Sequence, residues 1–521
     1  MASTPDAPGN SPGNFNPVVF FAAVAVIALL ILFSVVNASL AADSFGAIQA
    51  FATHNFGWFL VLVVNVLLGC AGLMAFTRMG EVRLGGREAR PEYSRLTWFA
   101  MLFSAGMGIG LLFYGVAEPV LHFSNPPLTA FSNPEAAAQQ GLLRNAQHAM
   151  GLTFLHWGLH AWGIYAVIGL GLAYVGYNRK MGLSIGAFLK AAYPRIPDLF
   201  VDVIDVLAIT ATVCGVAASL GFGATQINAG LGLLAGVPDN NLSRSIVIFI
   251  ITMLATISVA LGLDKGIRRL SEVNMVLAIG LALFVLIAGP TVFLLDSYVQ
   301  NIGYYLQRFV YFSTWTEAYS AADWQSSWTI FYWAWWISWS PFVGIFIARI
   351  SYGRTVREFI GGVLLVPTLF TFAWMTIFGD SALYIELFAA GGLSDAVNQS
   401  MPDALFAFLH HYPMSQIVSG VAVIIVATFF VTSADSGALV TAMIASGGNH
   451  HAGFAPRVTW AVAMGALAGS LLWSGGFGAL QTAAIVTGLP FALVLLVLAI
   501  GLLKMLRSDV ASGHGPGPDE P

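Results

Sequence analysis

The chain has 521 residues, of which 58% are apolar and only 9% charged, and its formal net charge is −4. A soluble domain carries about 25% charged and about 45–50% apolar residues, so this chain cannot cover itself with polar surface and is not a soluble globular protein. It is also far too apolar to be disordered, and its charge gives no case for nucleic-acid binding.

Residues 1–15 contain no Lys or Arg and read as a disordered cytoplasmic N-terminus. The apolar run 16–38 is longer than a signal-peptide core and reads as a first spanning helix. A helix needs about 20 apolar residues to cross a bilayer. By that rule further spans fall at roughly 57–77, 96–121, 146–175, 203–235, 243–263, 270–295, 326–348, 357–380, 413–446, 457–474 and 480–503, twelve in all. The alternating pattern of barrel strands is absent, so the fold class is an all-α integral membrane protein. Segment 297–325 is amphipathic. Segment 381–412 is apolar but interrupted by Glu386, Gly391, Gly392 and Pro402. Both are expected to be extracellular and partly helical. Residues 506–521 are expected to form a short disordered cytoplasmic tail. Cys70 and Cys214 lie far apart inside apolar runs and suggest neither a disulfide framework nor a zinc site.

Loop charge orients the spans. Arg78, Arg83, Arg87, Arg90 and Arg95 follow the second span, and the later even-numbered loops and the tail carry most of the rest. Only Arg144, Arg244 and Arg308 fall on the other side, which is 3 of 21 basic residues. The positive-inside rule then places both termini in the cytoplasm of a multi-pass inner (plasma) membrane protein. No Lys or Arg lies deep in a span, and Asp435 is the clearest acid at membrane depth. Glu118-Pro119 reads as the outer end of span three.

Two spans have irregular centres. Span three contains Ser104-Ala105-Gly106-Met107-Gly108-Ile109-Gly110, whose glycines weaken a helix by about 1 kcal/mol each. Such small residues serve either close helix packing or an unwound stretch whose carbonyls face a ligand. Span eight contains Ser338-Trp339-Ser340-Pro341, where proline removes a backbone hydrogen bond. A break there is expected, lining a cavity. These spans open two halves of five, spans 3–7 and 8–12, the second inverted because five is odd. That arrangement points to a transporter with its site at the midplane.

Residues 331–346 hold eight aromatics in sixteen positions. On a helix Trp335, Trp339, Phe342 and Phe346 share one stripe, with Trp336 to one side. In span four, Trp157, Trp162 and Tyr165 occupy one arc. The alternatives are core packing or an interfacial belt, but a belt clusters at span ends. An aromatic box without fixed charge suits a quaternary ammonium, each ring attracting the cation by roughly 0.5–2 kcal/mol.

At Gly106-Met107-Gly108-Ile109-Gly110, Tyr114-Gly115-Val116-Ala117-Glu118-Pro119, His156-Trp157-Gly158-Leu159-His160-Ala161-Trp162, Tyr332 through Phe342 and Phe429 through Ser436, the chain resembles the betaine–choline–carnitine transporter family, over roughly residues 16–505. The resemblance implies a LeuT-type fold in a single domain. Two peripheral helices (16–95) precede two inverted five-helix repeats (96–296 and 326–505). It also implies a homotrimer, no enzymatic activity, and osmoprotective import of a solute such as glycine betaine, choline or carnitine. Trp335, Trp336 and Trp339 would cage the ammonium, with Gly108 and Gly110 beside them. Trp157, Trp162 and Tyr165 would serve that site or its approach. No cofactor is implied beyond sodium as coupling ion, held by the Ser104, Met107 and Phe429 carbonyls and the Thr432 and Ser433 hydroxyls. The chemistry is reasonable, because hard cations take oxygen ligands.

Three departures matter. A second family sodium site uses hydroxyls four apart on span five and a span-eight Phe. Thr212 and Phe342 fit, but Val216 occupies the partner position. Choline-carrying relatives tend to have aspartate where this chain has Gly110, which favours a zwitterion. The tail lacks the long basic helix of osmosensing relatives. His156 and His160, four apart on one face, could pair on a metal, but zinc takes three or four protein ligands. An enzyme would need clustered acids and histidines at one membrane face, and a channel would need pore rings. The alternative within the carrier class is sodium-independent or proton-coupled transport of another methylated onium solute.

Overall fold

A bilayer offers no water to an open backbone, so long apolar runs must close their hydrogen bonds within each segment as helices. The computed structural model describes residues 15–106, 108–127, 139–261, 264–320, 323–449 and 453–512. Among them there is no sheet, only an antiparallel bridge between Arg83 and Thr355. The expectations for residues 1–14, Met107 and residues 513–521 lie outside the described residues, as does the Ser104 side chain.

The helices run α1 (Pro17–Val36), α2 (Ala38–Phe76), α3 (Arg95–Gly106), α4 (Ile109–Ser124), α5 (Gln139–Trp157), α6 (Leu159–Asn178), α7 (Ile185–Ala192), α8 (Asp198–Ala235), α9 (Asn241–Ala260), α10 (Asp264–Ala288), α11 (Thr291–Thr314) and α12 (Trp324–Ser327). They continue with α13 (Thr329–Arg349), α14 (Val356–Met375), α15 (Ser381–Phe388), α16 (Leu393–Gln399), α17 (Ala404–Leu409), α18 (Ser415–Ala445) and α19 (Phe454–Ala511). Ten candidate spans, some joining consecutive helices, are long and apolar enough to cross a membrane. The short helices α15 to α17 occupy the 381–412 connection.

Several boundaries differ from the sequence reading. Helix α2 begins at Ala38, well before the expected span at 57. The last helix continues through Ala511, so residues 506–511 are helical rather than disordered. Asp509 anchors this end, bonding Arg179 at 2.6 Å and accepting from the Tyr174 hydroxyl. Within α19 the two predicted spans meet at Gly476, whose φ of 58° only glycine adopts easily.

The expected break at Pro341 is not present: α13 is continuous. Proline leaves the Ile337 carbonyl without its helical donor, and the Ser340 hydroxyl donates to that oxygen at 2.7 Å instead. The span-three break does occur, with Gly108 extended between α3 and α4. A further break, not foreseen, separates α5 from α6 at Gly158. A Cβ there would lie 2.4 Å from the Phe154 carbonyl oxygen and 2.9 Å from the Phe372 ring. The carbonyls released at the end of α5 are recaptured. His156 O accepts from the Trp336 indole (2.9 Å), and Trp157 O from the Thr371 hydroxyl (3.0 Å).

Helix α13 runs through the core between α6, α8 and α19. Small residues permit that approach: a Cβ on Gly344 would meet Ile168 at 2.8 Å, and one on Gly488 would meet the Ala334 carbonyl oxygen at 2.5 Å. By contrast α1, α9, α10 and α11 expose Leu29, Phe249, Val276 and Val299, a surface suited to lipid.

The loops assigned by charge to one side meet on one face. Leu84 and Arg354 are joined through their backbones (2.9 Å), and Arg83 reaches the Gly353 carbonyl (2.6 Å). The backbone N–H of Asn16 donates to the Ala445 carbonyl at 3.1 Å. Thus the N-terminal helix, the loops after spans two, four, eight and ten, and the end of α19 are mutually connected.

Candidate functional site

The break between α3 and α4 and the aromatic stretch of α13 enclose one cavity of about 60 Å³. One buried water needs ~10–15 Å³ by a comparable measure, so the space accepts a small organic solute rather than a lone water. Trp335, Trp336 and Trp339 of α13 form one wall with Val343. Trp157 at the end of α5 and Trp162 and Tyr165 of α6 form another. Gly108, Ile109, Gly110 and Leu111, at the N-terminus of α4, form a third. All eight expected substrate-side residues therefore line a single space, and the two aromatic groups are one box.

Its rings hold one another. Trp335 and Trp336 stack at 4.7 Å between centroids, and Trp157 meets Trp336 edge-on at 5.0 Å. Trp162 and Tyr165 are 5.5 Å apart, and Tyr165 is 6.5 Å from Trp336. Three indole N–H groups are tied down, which fixes ring orientation: Trp335 to the Gly215 carbonyl (3.3 Å), Trp336 to the His156 carbonyl (2.9 Å) and Trp157 to a Glu118 carboxylate oxygen (2.7 Å). The Trp339 Nε1–H is buried without a partner among the described residues. Phe342 packs edge-on against Trp339 at 5.3 Å, and Val343 rather than Phe342 faces the cavity. Gly110 leaves no room for a side chain: a Cβ would stand 2.9 Å from Trp157 and 3.0 Å from Trp335.

The box is not free of charge nearby, contrary to the sequence reading. Glu118, towards the end of α4 that leads to Ser124, is fully buried. Its Oε1 lies 2.6 Å from Nδ1 of His156 and 3.2 Å from Nε2 of His122. Its Oε2 accepts from Trp157 at 2.7 Å and from the Tyr332 hydroxyl at 2.5 Å. His156 also meets the Thr329 hydroxyl at 2.9 Å. His156 and His160 do not converge on a metal: His160 faces Asn65 and stacks between Phe309 and Trp333, the packing and hydrogen bonding that the sequence favours over a metal pair. Glu118, His122 and His156 do bring ligand atoms within 4.8 Å of one another. The four groups gathered on the two carboxylate oxygens make this a hydrogen-bonded network. Sequence reading missed Glu118 because three of its four partners are contributed by α5 and α13.

Of the residues expected at the sodium site, Ser433 lines the cavity. Thr432, next to it on α18, donates to the carbonyls of Thr428 (3.0 Å) and Phe429 (3.2 Å), which leaves its oxygen lone pairs able to accept a cation. Phe429 is buried one turn earlier. At the expected second site, Thr212 donates to the Ala208 carbonyl at 2.8 Å. Val216 packs towards Gly437 of α18, 3.5 Å from where a Cβ would stand.

Comparison with known proteins places this geometry. The chain is 44% identical over 506 residues to a glycine betaine transporter of Acinetobacter baylyi, covering 95% of this chain and 74% of that protein. It is 42% identical over 494 residues to the glycine betaine transporter OpuD of Bacillus subtilis, covering 94% of each. A glycine betaine/proline/choline transporter of Vibrio parahaemolyticus is 42% identical over 482 residues, covering 89% of this chain and 85% of that protein. The family model for betaine/carnitine/choline family transporters matches residues 18–511. The chain belongs to the betaine/carnitine/choline family of membrane transporters.

Proposed function

We propose that this transporter imports a zwitterionic quaternary ammonium solute of the glycine betaine type across the plasma membrane, in symport with sodium and by alternating access. The observation that carries the reading is the two-sided cavity. One side is a box of tryptophan faces, which attract a desolvated cation by roughly 0.5–2 kcal/mol each. The other side is the first turn of α4, whose backbone N–H groups and positive dipole end favour an anion. A zwitterion uses both sides, whereas choline would leave the anion side unused. The relatives named for glycine betaine support the same choice.

Sodium coupling is supported by the oxygen-rich turn of α18 at Thr432 and Ser433, beside the α3–α4 break. Residues Ser104 and Met107 would complete it. The chain offers one such site rather than two, because apolar Val216 stands where a second hydroxyl is needed. We assign 16–95 to two peripheral helices and 96–296 and 326–505 to inverted repeats of a LeuT-type, twelve-span fold, assembled as a homotrimer with cytoplasmic termini. The connected face of basic loops supports that sidedness.

The test is uptake of labelled glycine betaine by proteoliposomes under an imposed sodium gradient, proton gradient or internal substrate alone. Sodium-driven accumulation is expected. Full transport in sodium-free buffer under a proton gradient would replace sodium symport with the proton-coupled alternative.

A further inference from the structure

We propose that Glu118 is a positioning residue whose negative charge, delivered through the Trp157 indole N–H, makes the aromatic box select a cation over a neutral group of the same shape. The inference rests on the reading that the cavity takes an onium group. An acid buried in a membrane helix is costly unless it is fully hydrogen-bonded, and it marks function by default. Glu118 meets that condition with groups from three helices: His122 on its own α4, His156 and Trp157 on α5, and Tyr332 on α13. Tryptophan can only donate, and an ionised carboxylate can only accept.

Trp157 spans the distance between the charge and the cavity. Its pyrrole N–H binds Glu118 at 2.7 Å, while the far edge of its six-membered ring borders Gly110 at the cavity wall. A hydrogen bond to an ionised acceptor is stronger than a neutral one and polarises its donor. An indole donating to a carboxylate therefore carries more electron density on its face, and that density is what a cation over the ring senses. The carboxylate also favours a cation directly, because a low-dielectric interior screens little. The same network fixes the box mechanically: His156, held by Glu118, presents the carbonyl that orients Trp336. A structural role alone would change the binding of every ligand of that shape. A charge-setting role changes only the binding of the cation.

The experiment compares binding of glycine betaine and of 3,3-dimethylbutanoate, its uncharged tert-butyl isostere at the onium end, to the purified full-length protein by calorimetry. Glu118→Gln keeps an amide oxygen for Trp157 but removes the charge. It is expected to lower the betaine-to-isostere affinity ratio by about three- to ten-fold. Glu118→Asp, which keeps the charge, should restore much of the ratio. If Glu118→Gln does not fold, replacing Trp157 by 3-benzothienylalanine provides the same test, because it keeps a fused bicyclic ring in the wall but has no N–H to link to Glu118. It should lower the ratio similarly. A ratio unchanged in either variant, or equal losses for both ligands, would overturn the proposal. Wild-type protein without any preference for betaine over the isostere would instead refute the substrate reading on which it rests.

Discussion

Gly110→Ala tests the geometry of the box with a single methyl group. The added carbon would stand 2.9 Å from Trp157 and 3.0 Å from Trp335, where ordinary carbon contacts lie at about 3.5–4.0 Å. Each ring must therefore retreat by roughly 0.5–1 Å. Neither is free to do so. Trp335 is stacked on Trp336 at 4.7 Å and bonded to Gly215, and Trp157 is tethered to Glu118. Overpacking of this kind costs about 1–3 kcal/mol. If that strain is relieved in the empty protein by rings swinging into the cavity, binding must reverse the swing and bears the cost. Affinity for glycine betaine should then fall about five- to a hundred-fold, with little loss of expression or of the folded fraction in detergent. Calorimetry or half-saturation of uptake measures the change. Unchanged betaine affinity in a folded Gly110→Ala protein would show that the cavity between these rings is not where the substrate sits.

Four other outcomes are expected. Trp339→Leu keeps bulk but removes one ring face of the box, so betaine affinity should fall about ten-fold while 3,3-dimethylbutanoate, which has no cationic group, changes far less; competition assays against labelled betaine separate the two. Thr432→Ala with Ser433→Ala should raise the sodium concentration for half-maximal uptake by about five- to a hundred-fold, read from sodium titrations of initial rates. Ser340→Ala uncovers the Ile337 carbonyl opposite Pro341 and should lower stability by about 1–3 kcal/mol, seen in thermal unfolding in detergent. Truncation after Arg507 removes Asp509 from Arg179 and Tyr174 and should cost about 1 kcal/mol of stability, by the same measurement, without abolishing uptake.

Much of the fold is legible in the chain because a bilayer demands one signal everywhere, about twenty apolar residues per crossing. Loop charge adds a second, independent signal, and the loops it groups together are indeed hydrogen-bonded on one face. The box is legible for a different reason: tryptophan is rare, and 331–346 is crowded with it. What local rules miss is set by partners distant in sequence. Gly158 resembles any helical glycine until Phe372, more than two hundred positions later, closes on it. Pro341 is the local exception: it does not break the helix because the adjacent Ser340 supplies the missing donor. Glu118, followed by proline, looks like a helix end, and only the approach of α5 and α13 shows that it is the centre of a network.

These corrections change where the site is stiff. A break at Pro341 would have placed the cation wall on an unwound segment free to shift. Instead the three tryptophans of α13 stand on an unbroken helix, with Trp335 and Trp336 pinned by Gly215 and His156. The irregular backbone belongs to the opposite walls, where α4 begins after extended Gly108 and α5 ends at Gly158. A rigid face suits cation–π recognition, because ring orientation sets the attraction and disorder would average it away. A helix start suits the carboxylate and the ion, because free backbone groups exist only where a helix is interrupted. On the proposed reading, the two halves of a zwitterion meet two kinds of structure. Glu118, on α4 yet bonded to both α5 and α13, is the residue that joins them.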